Sequence, residues 1–422
     1  MPKPHIATIG KLVRAATRLR GGGSAFPGLV VEKLDPTFIR SVLATLPYGV
    51  VVVSGTNGKT TTTKMVVELL EAHGLRVFTN KTGSNFVRGV IAAVLEESSY
   101  SGTLQADIAV LELDEAHAVK FVDLVPPDYS LLLNVMRDQL DRFGEIDTTA
   151  RMLTTIAKAT TKTVVLNRED SRIAAIAHQL APNTQAHYFG LSSATRALFP
   201  GDNQATDHHG QHAAATVTLD DITGQTAGFT IAGHTYSTTL ALRGIYNIYN
   251  AAAAMALVHA IIPPTPEAAA TTLKAVSRVQ PAFGRGETVM VGDTPVELVL
   301  VKNPGGFSLA LQSFPPAGYD TMIAINDNYA DGRDMSWLWD VDFSSLATEG
   351  VMLTTGVRAY DMALRLQYDD ITPGAVTPEL NEALDALLAH QPGRPKRIYC
   401  TYTAMLALRK LLSKKTTLQE AL

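Results

Sequence analysis

Cysteine is nearly absent from this 422-residue sequence: Cys400 is the only one. A single cysteine excludes internal disulfides and any multi-cysteine metal site, and it fits a reducing compartment. A dominant charge is missing too. The formal net charge is −4, from 36 Lys and Arg against 40 Asp and Glu, and no run of either sign prevails. Bulk electrostatics therefore point to no nucleic acid and to no anionic membrane as a partner. No apolar stretch is long enough to span a bilayer, and the N-terminus lacks the apolar core of a signal peptide. The expected location is the cytoplasm. Aromatics are sparse at 7%, but a hydrophobic fraction of 46% suits a globular protein with large cores. The length predicts two or three domains.

What is present is organised around Val50–Thr61. Val50 to Val53 are four β-branched residues in a row, the composition of a buried strand. Gly55-Thr56-Asn57-Gly58-Lys59-Thr60-Thr61 follows, with apolar residues at helical spacing beyond it (Met65, Val66, Leu69, Leu70). Glycines let the backbone turn tightly and approach a ligand. A helix N-terminus binds anions. Lys59 can meet the β- and γ-phosphates of a nucleotide, and the Thr60 hydroxyl can ligate Mg²⁺.

The chain around this motif reads as follows. Residues 1–45 open with a basic amphipathic segment and contain Gly21-Gly22-Gly23-Ser24. Composition predicts a flexible arm there. From 49 to about 190 strands alternate with helices, which predicts a largely parallel sheet covered on both faces. Ligands then lie beyond the carboxyl ends of the strands. Two of those ends carry acids: Leu111-Glu112-Leu113-Asp114-Glu115, where Glu112 or Asp114 could hold Mg²⁺, and Asn134 to Gly144, where Asn134 and Asp138 could meet a metal or phosphate. Residues 191–240 turn to Thr, Gly, Asp and His and predict short antiparallel strands. Their histidines (His208, His209, His212, His234) lack the spacing of a metal site and predict exposed loop positions. Asn247 and Asn250 share one face of a helix and suit an adenine edge. Pro281 to Glu287, with Arg285, reads as a linker to a second α/β domain. Within that domain Asn326 to Phe343 holds both tryptophans and five aspartates, a candidate partner surface or active-site loop.

The Gly55–Thr61 motif resembles the Mur ligase family. Asn134–Gly144, Asn167-Arg168-Glu169-Asp170, Gly244–Ala254 and Phe283–Glu287 are similar to family motifs in the same order. The closer resemblance is to the MurT branch, the ligase-like subunits that amidate lipid II. Gly21–Gly23, Thr82–Asn85, Leu111–Ala116, Lys302-Asn303-Pro304 and the Asn326–Phe343 run carry it. The resemblance implies an α/β fold: a P-loop central domain with a parallel sheet over 46–280, preceded by the 1–45 arm. A smaller Rossmann-like domain over 281–422 would contact the partner. It implies ATP and Mg²⁺ as cofactors. The nucleotide would be held by Gly55 to Thr61 with Asn247, Asn250 and Arg285, and the metal by Thr60 and Glu112. Gln139 stands where Mur ligases usually place a metal-binding histidine. Many MurT chains insert a four-cysteine zinc ribbon; with Cys400 alone no zinc is expected, and 191–240 would replace it with a metal-free hairpin. The implied activity is amidation of the D-glutamate α-carboxylate of lipid II at the inner face of the membrane. Ammonia would come from a GatD-type glutaminase forming a heterodimer. Asp334, with Asp340 as the alternative, would complete the glutaminase triad. The competing expectation is a stand-alone amino-acid ligase of the Mur or folate type.

Overall fold

The computed structural model describes residues 3–19, 26–80, 85–136, 146–199, 213–280 and 285–416. These fall into two compact units. The first comprises 1–135, 147–241 and 247–279; the second comprises 136–146, 242–246 and 280–422.

The first unit is built on strand β1 (Val50–Ser54), whose five residues are all buried. A strand covered on both faces needs apolar side chains at every position, which the valine run supplies. The remaining strands are β2 (Val77–Thr79), β3 (Ile108–Glu112), β4 (Tyr129–Leu132), β5 (Thr163–Asn167), β6 (Gln185–Leu191), β7 (Val217–Thr223), β8 (Thr226–Ile231) and β9 (His234–Thr239). They form one sheet in the order β2-β3-β1-β4-β5-β6-β7-β8-β9. Pairing is parallel from β2 through β7 and antiparallel from β7 to β9. The 191–240 segment therefore extends the main sheet. Among the described residues no cluster of three or more His, Cys, Asp or Glu could hold a metal; His208, His209 and His212 lie outside them. Strand β1 sits between β3 and β4, so the chain passes to both sides of it. That is the switch point at which open α/β sheets bind ligands.

The expected flexible arm is instead helical. Helices Pro4–Leu19, Phe26–Leu34 and Phe38–Leu43 precede β1, with Ile6, Ala7, Val31, Phe38, Ile39 and Val42 buried. Lys11 reaches the Leu95 carbonyl at 2.8 Å, and Arg14 pairs with Glu96 at 2.6 Å. A Cβ on Gly28 would fall 2.1 Å from the Arg88 carbonyl, so only glycine allows this close packing on helix Val87–Glu97. The apolar face of the amphipathic segment is satisfied by these tertiary contacts, which composition alone does not show. Gly21 to Gly23 and Thr82 to Ser84 lie outside the described residues.

Helix Ile245–Ile261 is apolar and buried all round from Ala251 to Val258. It buries His259, whose Nδ1 lies 3.4 Å from the Ile262 carbonyl. Burial, opposed by that contact, pushes its pKa from 6.5 down to about 4. The neutral ring is the form the fold accepts. Stability is therefore complete above pH 6.5 and is lost as pH falls towards 4, by about 3 kcal/mol for this one group. Urea unfolding of the wild type and of His259→Leu between pH 7 and 4 should show a shallower acid loss in the variant. Parallel curves would refute the assignment.

The second unit contains β10 (Arg285–Val291), β11 (Thr294–Leu300), β12 (Asp320–Ala324), β13 (Leu353–Thr355), β14 (Ala375–Val376) and β15 (Lys396–Cys400). Their order is β10-β11-β15-β12-β13-β14, parallel except for the β10–β11 hairpin. The linker reading stopped short of that hairpin: β10 begins at Arg285, inside the segment read as a connector. Phe307 centres one face of the core, with Phe343 at 5.0 Å, Tyr399 at 5.5 Å and Trp337 at 6.3 Å between ring centroids. On β15, Lys396 is fully buried against Asp320, and Arg397 pairs with buried Glu297 at 2.6 Å. Cys400 is fully buried, and burial pushes its thiol well above the ordinary range, which makes it a packing residue and not a nucleophile.

Candidate functional site

The loop after β1 turns on Gly55 (φ +135°) and Gly58 (φ +88°), both in the left-handed region that favours glycine. Helix Lys59–Ala72 starts at once. Four successive threonines are poor helix formers. Burial of Met65, Val66, Leu69 and Leu70 holds the helix regardless. Its N-cap is Gly58, which has no side chain to occupy the first N–H groups.

Lys59 is buried, and its Nζ donates to the Gly55 carbonyl at 2.7 Å. The same ammonium lies 3.4 Å from Asp114 Oδ1 and 3.4 Å from Glu115 Oε2. Thr60 donates its hydroxyl to Glu112 Oε1 at 3.0 Å, and Asn85 Nδ2 donates to the same oxygen at 3.2 Å. Of the two acids left open above, Glu112 thus meets the Thr60 hydroxyl and Asp114 meets Lys59. Strand pairing explains the first contact, since Val53 of β1 stands opposite Glu112 of β3. Thr56 and Thr61 are buried within the loop and first helical turn.

Three asparagines brace this arrangement. Asn134 accepts from the Asn57 N–H at 2.9 Å and donates to the Asn57 carbonyl at 3.0 Å. Its own carbonyl takes the Thr56 N–H at 3.0 Å. Asn134 therefore holds the loop and does not present its amide to a metal. Asn80 brackets Glu112 in the same two-point way, at 2.9 and 2.8 Å. Asn250 lies against the loop: a Cβ on Gly58 would fall 2.9 Å from its Oδ1. Asn247, one turn earlier, is half-buried. The Arg285 side chain and the 137–144 loop, with Asp138 and Gln139, lie outside the described residues. Asn80 carries no local signal in the sequence, and Asn85, the last residue of the Thr82–Asn85 segment, has no role assigned to it there.

The donor set fits a nucleoside triphosphate with its divalent cation. An ammonium and an uncapped helix N-terminus suit phosphate oxygens, and a hydroxyl beside one carboxylate is the sparse ligand set that Mg²⁺ takes.

In the second unit the aspartates of 326–343 separate by environment. Asp327 pairs with Arg358 at 2.7 Å, and Asp331 is buried. Asp334 is half-buried and accepts from the Ser336 N–H at 2.9 Å. Asp340 and Asp342 are exposed, the latter accepting from the Ser344 N–H. The tryptophans divide as well: Trp337 belongs to the core, whereas Trp339 is 49% exposed and meets Tyr368 edge-on at 4.9 Å.

A glycine–lysine–threonine loop at the switch point of a largely parallel sheet, with a threonine–glutamate contact beside it, has the form of a P-loop protein. Residues 53–258 match the Mur ligase middle domain, and residues 300–405 match the MurT ligase C-terminal family. The chain belongs to the MurT family. A Streptococcus pneumoniae protein named lipid II isoglutaminyl synthase (glutamine-hydrolyzing) subunit MurT is 32% identical over 94% of this chain and 93% of its own length. The protein of that name from Staphylococcus aureus (strain COL) is 28% identical over 87% of each. Among solved structures, a pseudomurein peptide ligase type C from Methanothermus fervidus superposes with a TM-score of 0.69. It shares 18% identity over 90% of this chain and 81% of that one. MurF ligase from Thermotoga maritima, solved in complex with ADP, gives a TM-score of 0.65 and 15% identity over 90% and 83%. These two likenesses concern the fold: α/β with mostly parallel sheets. No described helix is long and apolar enough to cross a membrane.

Proposed function

We propose that this chain is the ATP-dependent, amide-forming subunit of a lipid II isoglutaminyl synthase. It would act at the inner membrane face as a heterodimer with a GatD-type glutaminase. The observation that carries the reading is the buried Lys59 beside the Thr60–Glu112 contact, in a chain whose last domain matches the MurT family.

The chemistry balances in two steps. A D-glutamate α-carboxylate oxygen of the lipid II stem peptide attacks the γ-phosphorus of ATP, giving an acyl phosphate and ADP. Ammonia then attacks the carbonyl carbon; inorganic phosphate leaves with the bonding electrons, a proton is lost, and the D-isoglutamine amide remains. Phosphoryl transfer asks the protein for position and charge, not for covalent participation. Lys59 and the N–H groups after Gly58 would hold the phosphates. Thr60 and Glu112 would hold Mg²⁺, which spreads the developing charge when bound. Asn134, Asn80 and Asn85 keep those groups aimed. Asn247, Asn250 and Arg285 would hold the rest of the nucleotide. Free ammonia is scarce at neutral pH, so a glutaminase must supply it, and its catalytic histidine needs an orienting acid. Asp334 is the acid assigned here, with Asp340 second.

The test is phosphate release from ATP by the chain co-expressed with a glutaminase, given lipid II and glutamine, with the amidated product identified by mass. Release that requires all three supports the reading. Turnover by the lone chain with a free amino acid would instead identify a stand-alone peptide ligase.

A further inference from the structure

We infer that Asp331 is a positioning residue. It clamps the acidic loop 326–343 to the start of helix Tyr402–Leu412 and so fixes the direction in which Asp334 is presented. The inference deepens the partner reading above and rests on it for its consequence, though not for its geometry.

Helix Tyr402–Leu412 begins at Thr401, whose side chain makes no capping bond. The cap arrives from another element. Asp331 Oδ1 accepts the Thr403 N–H at 2.7 Å, and Oδ2 accepts the Thr403 hydroxyl at 2.5 Å and the Asn328 N–H at 3.1 Å. A carboxylate at a helix N-terminus is favourably placed. The Thr403 oxygen is then used in full, because it also accepts from Asn326 Nδ2 at 3.0 Å and Asn328 Nδ2 at 2.8 Å. One hydroxyl thereby ties three loop side chains to the carboxyl edge of the sheet. Asp331 is only 3% exposed, and burial pushes its carboxyl upward against the pull of these bonds. Burying an acid is costly unless hydrogen bonds compensate it, and this one, three residues before Asp334, is compensated by the bonds to Thr403 and Asn328. The far end is held as firmly. Arg365 donates to the carbonyls of Leu338 and Val341 and pairs with Asp369, which accepts the Phe343 N–H at 3.0 Å. Asp334 sits between the two clamps.

The test uses Thr403, which lies outside the loop. Thr403→Val keeps the shape and removes the hydroxyl; Thr403→Ser restores it. In the co-expressed complex, Thr403→Val should lower the glutamine-driven rate about ten- to a hundredfold, the scale of a small misplacement. The ammonium-driven rate should hold, amides of 327–335 should exchange faster, and Thr403→Ser should behave as wild type on all three. Unchanged exchange or equal loss of both rates would overturn the clamp, and a loosened loop with both rates intact would overturn its role in presenting Asp334. Asp334→Asn run alongside reads the partner assignment alone. If that variant leaves both rates unchanged, Asp334 is not the acid lent to the partner, while exchange in Thr403→Val still decides whether the clamp exists.

Discussion

Asp334→Asn should reduce glutamine-driven amidation by about 10⁴, the loss seen when the orienting acid of a related triad becomes an amide. The substitution preserves shape and changes only what a partner's histidine can donate to. Asp334 already takes the Ser336 N–H at 2.9 Å, a bond the carboxamide oxygen can keep, so the turn should survive. Asp334 is remote in sequence from the Lys59–Glu112 constellation, and under the proposed function it takes no part in making the acyl phosphate. Amidation with added ammonium chloride should therefore persist, and the two subunits should still co-purify. Both rates are read from one preparation by following amidated lipid II. Equal loss of both would move Asp334 into the ligase chemistry. No loss of either would pass the role to Asp340, which the same pair of assays on Asp340→Asn examines.

Lys59→Ala should cut ATP turnover about 10²- to 10³-fold under both nitrogen sources, the range for deleting one preorganised charge-stabilising donor. Here the two rates fall together, the opposite signature to Asp334→Asn. Among the described residues the ammonium meets acceptors: the carboxylates of Asp114 and Glu115 and the Gly55 carbonyl. Deleting it takes the ammonium from the buried Glu115 carboxylate, so some loss of thermal stability should accompany the loss of rate. Co-purification with the partner and the circular dichroism spectrum should be unchanged, which separates a chemical defect from an unfolded one. Near-normal phosphate release would remove the loop from the nucleotide site.

The sequence made the phosphate loop legible because its signals are local. Four valines, two glycines and a lysine fall within ten positions, and each is required by the backbone it adopts. The parallel sheet was legible for the same reason, through strands rich in β-branched residues. What stayed hidden depends on distance. Asn80 acts on Glu112 across 32 positions and Asn134 on Asn57 across 77, so no window of sequence contains either pair. The N-terminal segment reads as amphipathic in sequence, but the helix Val87–Glu97 that the first two helices pack on lies far along the chain. Asp331 resembled its neighbouring acids in sequence; only the fold separates a buried knot from exposed turn residues. Helix Glu115–Leu124 opens on an acid, which helix N-termini favour, and that acid lies against the lysine of the loop.

The segregation of the chain's two tryptophans has an optical consequence. Both fall within Ser336–Asp340, so the intrinsic indole emission of all 422 residues originates in that one turn. Trp337 is enclosed beside Phe307 and contributes a steady blue component. Trp339, half in solvent against Tyr368 and over Arg365, contributes the component that responds to what covers it. The protein thus carries an unlabelled fluorophore in the segment that bears Asp334, and the colour of its emission follows the hydration of that surface.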